Sequence, residues 1–289
     1  METLTRVDLD VHEMRRVVER ESGCLVWGGA MALSPADDVL IRVERPLDLD
    51  SDAQFVASVL SKKIAAGSSH VLIDIPIGPT AKVRSEEDGH RLQSLMEQVA
   101  KAFGLQLRVL RTRGAQPVGH GIGPALEAHD VLAVLRGAAA APVDLRMRAL
   151  VLAGELLEFC GHSMPGTGRS EAWRMLDSGA AWAKFQAICE AQGGLREPGT
   201  AAWQEAVTAE HAGYVSGIDC RRLARVAKLT GAPVAPTAGL VLHVKLGDTV
   251  QQGMPLLTLN AEAAGELAYA RQYLVTHPAI TLSEHPGVN

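Results

Sequence analysis

The feature that most constrains the fold is a strand–helix–strand pattern between residues 70 and 111. His70–Pro76 is an apolar run that ends at a Gly-Pro turn, and Leu105–Arg111 is a second run in which apolar and polar residues alternate. Helical spacing of apolar residues is seen between them, at Leu92, Leu95, Met96, Val99 and Phe103. A crossover helix allows the two strands to lie parallel. The sequence therefore predicts an α/β fold with a mixed or parallel sheet flanked by helices.

Composition and charge exclude several classes of protein. Apolar residues make up 47% of the 289, but aromatic residues only 4%, so the core must be built from Ala, Leu and Val. The net charge of −5 argues against a nucleic-acid surface or an anionic membrane as partner. No apolar run approaches the roughly 18 residues of a membrane span. The four cysteines form no CxxC pair, which predicts reduced thiols and a cytoplasmic location.

The segment Ser51–Ala66 has helical spacing and carries a hydroxyl and a cation on one side. Ser58 and Lys62 are four residues apart, so they lie one turn from each other. Asp50 and Ser51 are N-cap candidates, and Gly67 stands where a C-cap belongs. Such donors suit the carbonyl oxygens of a small polar ring. Spacing alone leaves a second interpretation open, in which the serine packs at a helix contact and the lysine is solvated.

Several motifs resemble those of the thymidine/pyrimidine-nucleoside phosphorylase family. ASVLSKK at 57–63, with AAG at 65–67 and the strand that follows, resembles the family's AS-x-x-SKK-x-AAG…LVLDV signature. GPALE at 123–127 resembles its G-N-ALE segment, with Pro124 in place of the asparagine. Two further segments match in order, namely KF…AQGG at 184–194 and GYV…ID at 213–219. The ordered run covers about residues 7–266 and identifies the chain as a member of this family.

The resemblance implies phosphorolysis, in which inorganic phosphate converts thymidine to thymine and 2-deoxyribose 1-phosphate. Ser58 and Lys62 match the family's base-binding Ser and Lys. The family's base-binding arginine falls best on Arg42, and Arg45 is the alternative. Lys62 and Arg42 are thus implied as catalytic residues, with Ser58 binding substrate beside them. The expected partners are a nucleoside or nucleotide, phosphate as co-substrate and a second copy of the chain in a homodimer, with no metal or other cofactor.

The family's phosphate-binding K-x-S-x-G-G loop finds no match in this sequence. We therefore expect a truncated chain, and activity of this chain alone stays open. Two alternatives remain beside thymidine phosphorolysis. One is a nucleoside 5′-monophosphate phosphorylase of the archaeal AMP type, which the IPIGPTAK and GPALE variants favour. The other is a non-catalytic fragment or structural partner.

The chain is expected to divide into four regions. Residues 1–36 begin the α/β domain, 37–66 form a helical-domain segment, 67–200 form the α/β core and 201–289 form a β-rich C-terminal lobe. Within that lobe, residues 239–257 resemble the hammerhead pattern of biotinyl and lipoyl carriers. No MKM or DKA hairpin with a carrier lysine occurs there, so we expect a structural lobe.

Three local predictions are less constrained. Cys24–Ala30 is expected to be a buried strand that ends in a Gly-Gly turn. The apolar side of the Ser51–Ala66 helix is expected to pack on helices from outside this sequence. Lys82, just after the strand at residues 70–76, is either a residue that closes over a ligand or a solvated lysine at the start of a helix.

Overall fold

The computed structural model describes residues 1–27 and 52–285. The helices in this part of the chain are α1 (Val11–Glu21), α2 (Asp52–Ala65), α3 (Glu86–Ala102), α4 (Pro124–Leu135), α5 (Val143–Phe159), α6 (Gly168–Asp177), α7 (Ala180–Ala191), α8 (Cys220–Leu229) and α9 (Ala264–Thr276). The strands are β1 (His70–Ile77), β2 (Gln106–Arg113), β3 (Gly121–Ile122), β4 (Trp203–Thr208), β5 (Gly213–Ile218), β6 (Gly239–Leu242), β7 (Thr249–Val250), β8 (Pro255–Ala261) and β9 (Ile280–Ser283). None of these helices is long and apolar enough to cross a bilayer.

Strands β1 and β2 pair in parallel, with α3 as the crossover between them. The register runs from His70 opposite Gln106 to Ile77 opposite Arg113. One apolar cluster joins β1, α2 and α3, and its buried members include Val56, Leu60, Ile75, Leu92 and Met96. The predicted strand–helix–strand unit and the α/β class are confirmed.

The apolar side of α2 packs inside this chain, contrary to the sequence-based expectation. Val56 and Leu60 are almost fully buried, in the same cluster as Leu92 and Met96 of α3. The sequence pattern correctly identified the side of the helix that is buried. It could not identify the partner, because an apolar stripe packs on any complementary apolar surface.

The C-terminal lobe is antiparallel. One sheet has the strand order β3-β6-β8-β4, and a second has the order β7-β5-β9. Leu223 and Val226 of α8 pack with Leu240, Leu257 and Leu259 of the first sheet in the largest buried cluster. Strand β3 comes from residues 121–122, so the segment before the lobe contributes an edge strand to it. The four-region division itself stays a prediction.

Two of the motifs that carried the family resemblance have structural roles here. The buried Gln192 of the AQGG motif donates to the carbonyls of Arg6 and Leu25 at 2.7 and 2.8 Å, and its Oε1 accepts from the N–H of Leu25. Lys184 of the KF motif binds the Glu21 carboxylate, with Nζ and Oε2 3.1 Å apart. Both side chains hold the N-terminal segment against α7.

Two local predictions were wrong. Cys24–Trp27 form no strand, because the segment is held by separate contacts such as the bond from the Trp27 N–H to the Val7 carbonyl rather than by a ladder. Residues 28–30 of the predicted strand lie outside the described residues. Phe103 is 65% exposed, since α3 ends at Ala102 and the chain turns away at Gly104.

Candidate functional site

Helix α2 presents Phe55, Ser58 and Lys62 along one side. Their spacing of three and four residues aligns them over two turns, on a different side from the buried Val56 and Leu60. All three side chains of this stripe are half-buried. The sequence prediction that Ser58 and Lys62 lie one turn apart on the same helix is therefore confirmed, while their role in binding stays a prediction.

The end of α2 is fixed by a glycine. Gly67 has φ +71°, a backbone conformation that residues with a side chain rarely adopt. This turn lets the Ser68 N–H reach the Lys63 carbonyl at 3.0 Å and the Gly67 N–H reach that of Ile64 at 2.9 Å. Gly67 thus has the C-cap role expected from the sequence. The cap fixes the end of α2 one turn beyond Lys62.

The loop after β1 brings a second ammonium to the stripe. Lys82 lies over the ring of Phe55, with Nζ 4.5 Å from the ring centroid. A cation in this position is attracted to the negative face of the ring. Lys82 is exposed, so this contact decides between neither of its two sequence interpretations, and a role in binding stays a prediction. We call the stripe and Lys82 together the donor face.

The loop that carries Lys82 is compact and closely packed. The Gly78 N–H donates to the Val83 carbonyl at 3.1 Å, and the Ala81 N–H donates to the Gly78 carbonyl at 3.0 Å. Gly78 itself touches the backbone at the end of β2, because a Cβ placed on it would lie 2.4 Å from the carbonyl carbon of Gly114. The loop and the carboxyl end of β2 are thus packed backbone to backbone, at the edge where ligands bind in open α/β sheets.

An ion pair below this edge joins β1 to α5. The Asp74 carboxylate accepts from Arg148 Nη1 at 2.9 Å and from the Thr112 hydroxyl at 2.6 Å. Arg148 also donates to the Arg113 carbonyl. Both charged side chains are about four-fifths buried, with 21% and 19% exposed. Sequence reasoning missed this pair because its members are 74 residues apart and nothing local links them.

Arg42 and Arg45, the two candidates for the base-binding arginine, lie outside the described residues, as do Asp50 and Ser51. The arginine assignment therefore stays a prediction. Across residues 1–27 and 52–285, no three His, Cys, Asp or Glu side chains are grouped so that they could hold a metal ion. The expectation that no cofactor is needed likewise remains a prediction.

A separate cavity of about 1280 Å³ is lined in part by helix α8 of the C-terminal lobe. Its walls are the first residues of the chain, Leu25–Trp27, the start of α4 and residues 232–237. Four charged residues line it, namely Glu2, Glu127, Arg196 and Lys228. The hydroxyl of Thr3, which also lines it, is buried without a hydrogen-bond partner. Ser58 and Lys62, the sequence-predicted site residues within the described part of the chain, do not line this cavity.

The strand-end loop and the parallel pair define an α/β protein, and the donor face is its candidate site for a small polar ligand. Comparison with known proteins specifies the family. Residues 214–278 match the family model described as "Pyrimidine nucleoside phosphorylase C-terminal domain". This region runs from β5 to the end of α9.

Similarity to curated proteins extends over nearly the whole chain. A Cupriavidus necator protein named "Putative thymidine phosphorylase 1" is 65% identical over 277 residues, which are 96% of this chain and 53% of that protein. A Ralstonia nicotianae protein named "Putative thymidine phosphorylase" is 61% identical over 98% of this chain and 56% of its own length. The chain belongs to the thymidine/pyrimidine-nucleoside phosphorylase family. It spans about half the length of the curated relatives it matches.

Proposed function

We propose that this chain supplies the base-binding part of an enzyme that cleaves pyrimidine nucleosides with inorganic phosphate. Thymidine and phosphate would give thymine and 2-deoxyribose 1-phosphate. The observation that carries the proposal is the identity of over 60% to proteins named "Putative thymidine phosphorylase" or "Putative thymidine phosphorylase 1", which covers nearly all of this chain. The donor face supports it, because it offers a hydroxyl and ammonium groups beside an aromatic ring.

The chemistry required of the donor face follows from the leaving group. When phosphate attacks C1′, the bond to the base breaks and negative charge grows on the ring's oxygens and nitrogen. Lys62 would oppose that charge as it appears, and Ser58 would donate a hydrogen bond to a ring carbonyl. Arg42 would bind the other carbonyl edge of the ring. Donors already oriented for this charge lower the barrier more than they strengthen ground-state binding.

Phosphate would have to be oriented by a family motif for which this sequence has no match. The family's glycine loop has no counterpart in it, so the complete reaction needs that element from the rest of the polypeptide or from another one. The proposed role of this chain is therefore recognition and activation of the base. Homodimer formation, which rests on the family resemblance, and a cytoplasmic location, which rests on the cysteine pattern, belong to the same proposal.

One observation favours a second substrate class, the nucleoside 5′-monophosphates. Lys82 adds a second ammonium at the Phe55 end of the stripe, about 10 Å along the helix axis from the level of Lys62. A neutral nucleoside has no group that needs this second cation. A 5′-phosphate carries negative charge that Lys82 could bind at one end of the stripe while Lys62 binds the base at the other.

The test is an assay of a completed protein. The part of the Cupriavidus necator relative that this chain does not match is joined to this chain, and the fusion is purified from a host without nucleoside phosphorylases. Phosphate-dependent release of free base is measured with thymidine, uridine and nucleoside monophosphates. The proposal predicts release from at least one of them. Absence of release from all three by a folded fusion would refute it.

Lys82→Ala in the fusion separates the two substrate classes. If the natural substrate carries a 5′-phosphate, kcat/KM for the monophosphate should fall far more than kcat/KM for the nucleoside. If the substrate is a nucleoside, the variant should change the two values equally. Lys101→Ala, on the exposed end of α3, is the matched lysine control.

A further inference from the structure

We propose that Thr80 is a positioning residue through which the C-terminal lobe holds Lys82 against α2. The proposal rests on the proposed function only in treating Lys82 as part of the substrate site. The family's C-terminal domain model matches this lobe, and the proposal gives the lobe a task in addition to its structural one. That task is to fix the loop on which one of the donor-face cations stands.

The evidence begins at the N-terminus of α8. Helix N-termini have backbone N–H groups without partners inside the helix. Asp219 caps two of them, since its Oδ1 accepts from the N–H groups of Arg221 and Arg222 at 3.0 Å each. The N–H of Cys220 donates instead to the Thr80 hydroxyl oxygen, also at 3.0 Å. The lobe thus uses a residue 140 positions earlier in the chain to complete its own helix cap.

Thr80 contacts the lobe a second time. Its hydroxyl lies 3.5 Å from the carbonyl oxygen of Ile218, the last residue of β5. One hydroxyl can accept from Cys220 and donate toward Ile218 at the same time. The oxygen of Thr80 is therefore located by both the strand and the helix that flank Asp219. Both of these elements contribute side chains to the lobe's core.

The other side of the same loop is held by the α/β part. Gly78 packs against the backbone of Gly114, and the Cys220 sulfur lies 4.0 Å from the Gly114 carbonyl oxygen. The loop is thereby confined between the end of β2 and the start of α8. Only Ala81 separates Thr80 from Lys82, so the position of the threonine sets the direction from which the lysine reaches Phe55. The contact between lobe and loop should therefore control the contact between Lys82 and Phe55.

A spectroscopic test follows from the aromatic ring beneath the lysine. Protons on the Lys82 side chain near the Phe55 ring face are shifted upfield by the ring current, and Phe55→Leu identifies the signal by removing the shift. Thr80→Val keeps the shape of the side chain but removes the hydroxyl. The proposal predicts that Thr80→Val moves the Lys82 signal toward the value of a free lysine, while Thr80→Ser restores it. Thr276→Val, which loses a hydroxyl bonded within the end of α9, is the matched control.

A second variant removes the same hydrogen bond from the lobe's side. Cys220 is the first residue of α8, a position where proline is tolerated, and Asp219 before it is already extended with φ −90° and ψ 98°. Cys220→Pro removes the N–H donor and leaves Thr80 intact. If both Thr80→Val and Cys220→Pro fold, as judged by circular dichroism, and keep the wild-type Lys82 shift, the proposal is overturned.

A titration keeps this result separate from the proposed function. Uridine 5′-monophosphate and thymidine are titrated, with inorganic phosphate present, into the wild-type fusion described above. If the Lys82 shift responds to the variants while neither compound binds, the positioning role stands and the proposed function fails. If a compound binds and Thr80→Val weakens it at least several-fold with rescue by Thr80→Ser, both stand. If binding is the same in all variants and the shift is unchanged, the positioning role fails alone.

Discussion

Gly78 and Gly114 pack against each other through their backbones, at the carboxyl ends of the two parallel strands. A Cβ on Gly78 would lie 2.4 Å from the carbonyl carbon of Gly114 and 2.6 Å from the nitrogen of Ala115. A Cβ atom essentially never lies this close to another heavy atom, and both atoms that it would meet here belong to the backbone, which cannot turn aside as a flexible side chain can. The contact fixes how near the loop with Thr80 and Lys82 can come to β2.

We expect Gly78→Ala to destabilise the protein by about 1–3 kcal/mol, the usual cost of inserting a methyl group where neighbours cannot move aside. The control is Gly265→Ala in α9, where nothing lies within 4 Å of the added Cβ. That variant should be neutral or gain up to about 1 kcal/mol, since alanine favours a helix over glycine. Urea unfolding of the three proteins measures both changes. Equal stability of Gly78→Ala and the parent would contradict the backbone contact.

A second prediction concerns the donor face. In the completed fusion, Lys62→Ala should lower kcat and raise KM without unfolding the protein, because its charge opposes the charge that grows on the departing base. A donor of this kind is typically worth about 2.7–4 kcal/mol, or roughly 10²–10³ in rate. Ser58→Ala, which removes a neutral donor, should have a smaller effect and act mainly on KM. Steady-state kinetics with each substrate measure both.

The matched control for Lys62→Ala is Lys63→Ala, one position along the same helix and 100° around it. Surface substitutions without a role stay within about 0.5 kcal/mol of the parent in stability. Parent-like kinetics for Lys62→Ala would remove α2 from the base-binding site.

A third prediction concerns the 289-residue chain by itself. We expect no measurable phosphate-dependent release of base from thymidine, uridine or a nucleoside monophosphate. Orientation of the two reactants can contribute about 7–11 kcal/mol to a rate, and the family's phosphate loop is not matched in this sequence. The measurement is chromatographic detection of free base after long incubation with enzyme from a phosphorylase-deficient host. Robust release would contradict the expectation and show that phosphate is oriented by residues in this chain.

A fourth prediction concerns stability in acid. The backbone N–H groups of Gly166 and Gly168 donate to the Glu158 carboxylate, the latter at 2.7 Å, and lower the pKa of that carboxyl. A carboxyl whose folded pKa lies below its unfolded value of about 4.3 stabilises the fold above that pH. This contribution is lost as pH falls through the lower folded pKa. The parent should therefore be more stable than Glu158→Gln at neutral pH, and the difference should shrink in acid.

Thermal unfolding of the two proteins between neutral and acidic pH tests this. The matched control is Glu155→Gln on the same helix, whose carboxylate pairs with the half-exposed Arg108. Ion pairs that are screened by solvent contribute little to stability. Salt should therefore reduce any stability difference caused by Glu155→Gln and leave the difference caused by Glu158→Gln largely unchanged. A parent–variant difference at Glu158 that stays constant down to the most acidic pH would contradict the assigned cause.

The sequence by itself determined the local elements and the alignment of the donor residues. Helical spacing predicted the position of α2, the glycine after it predicted its end, and the two apolar runs predicted β1 and β2 and their parallel pairing. These features depend on the periodicity and conformational preference of neighbouring residues. Ser58 and Lys62 could be placed on one side of a helix for the same reason, since the spacing of a helix is fixed by its backbone.

Tertiary structure decided which surfaces meet. The sequence could not show that the apolar side of α2 packs on α3, that Arg148 binds Asp74, or that Thr80 completes the cap of α8. Each of these contacts joins residues far apart in the chain, and no periodicity encodes the identity of a distant partner. The position of Lys82 over Phe55 has the same origin. Its loop could have extended into solvent, and it lies on α2 because the ends of β2 and α8 confine it on two sides.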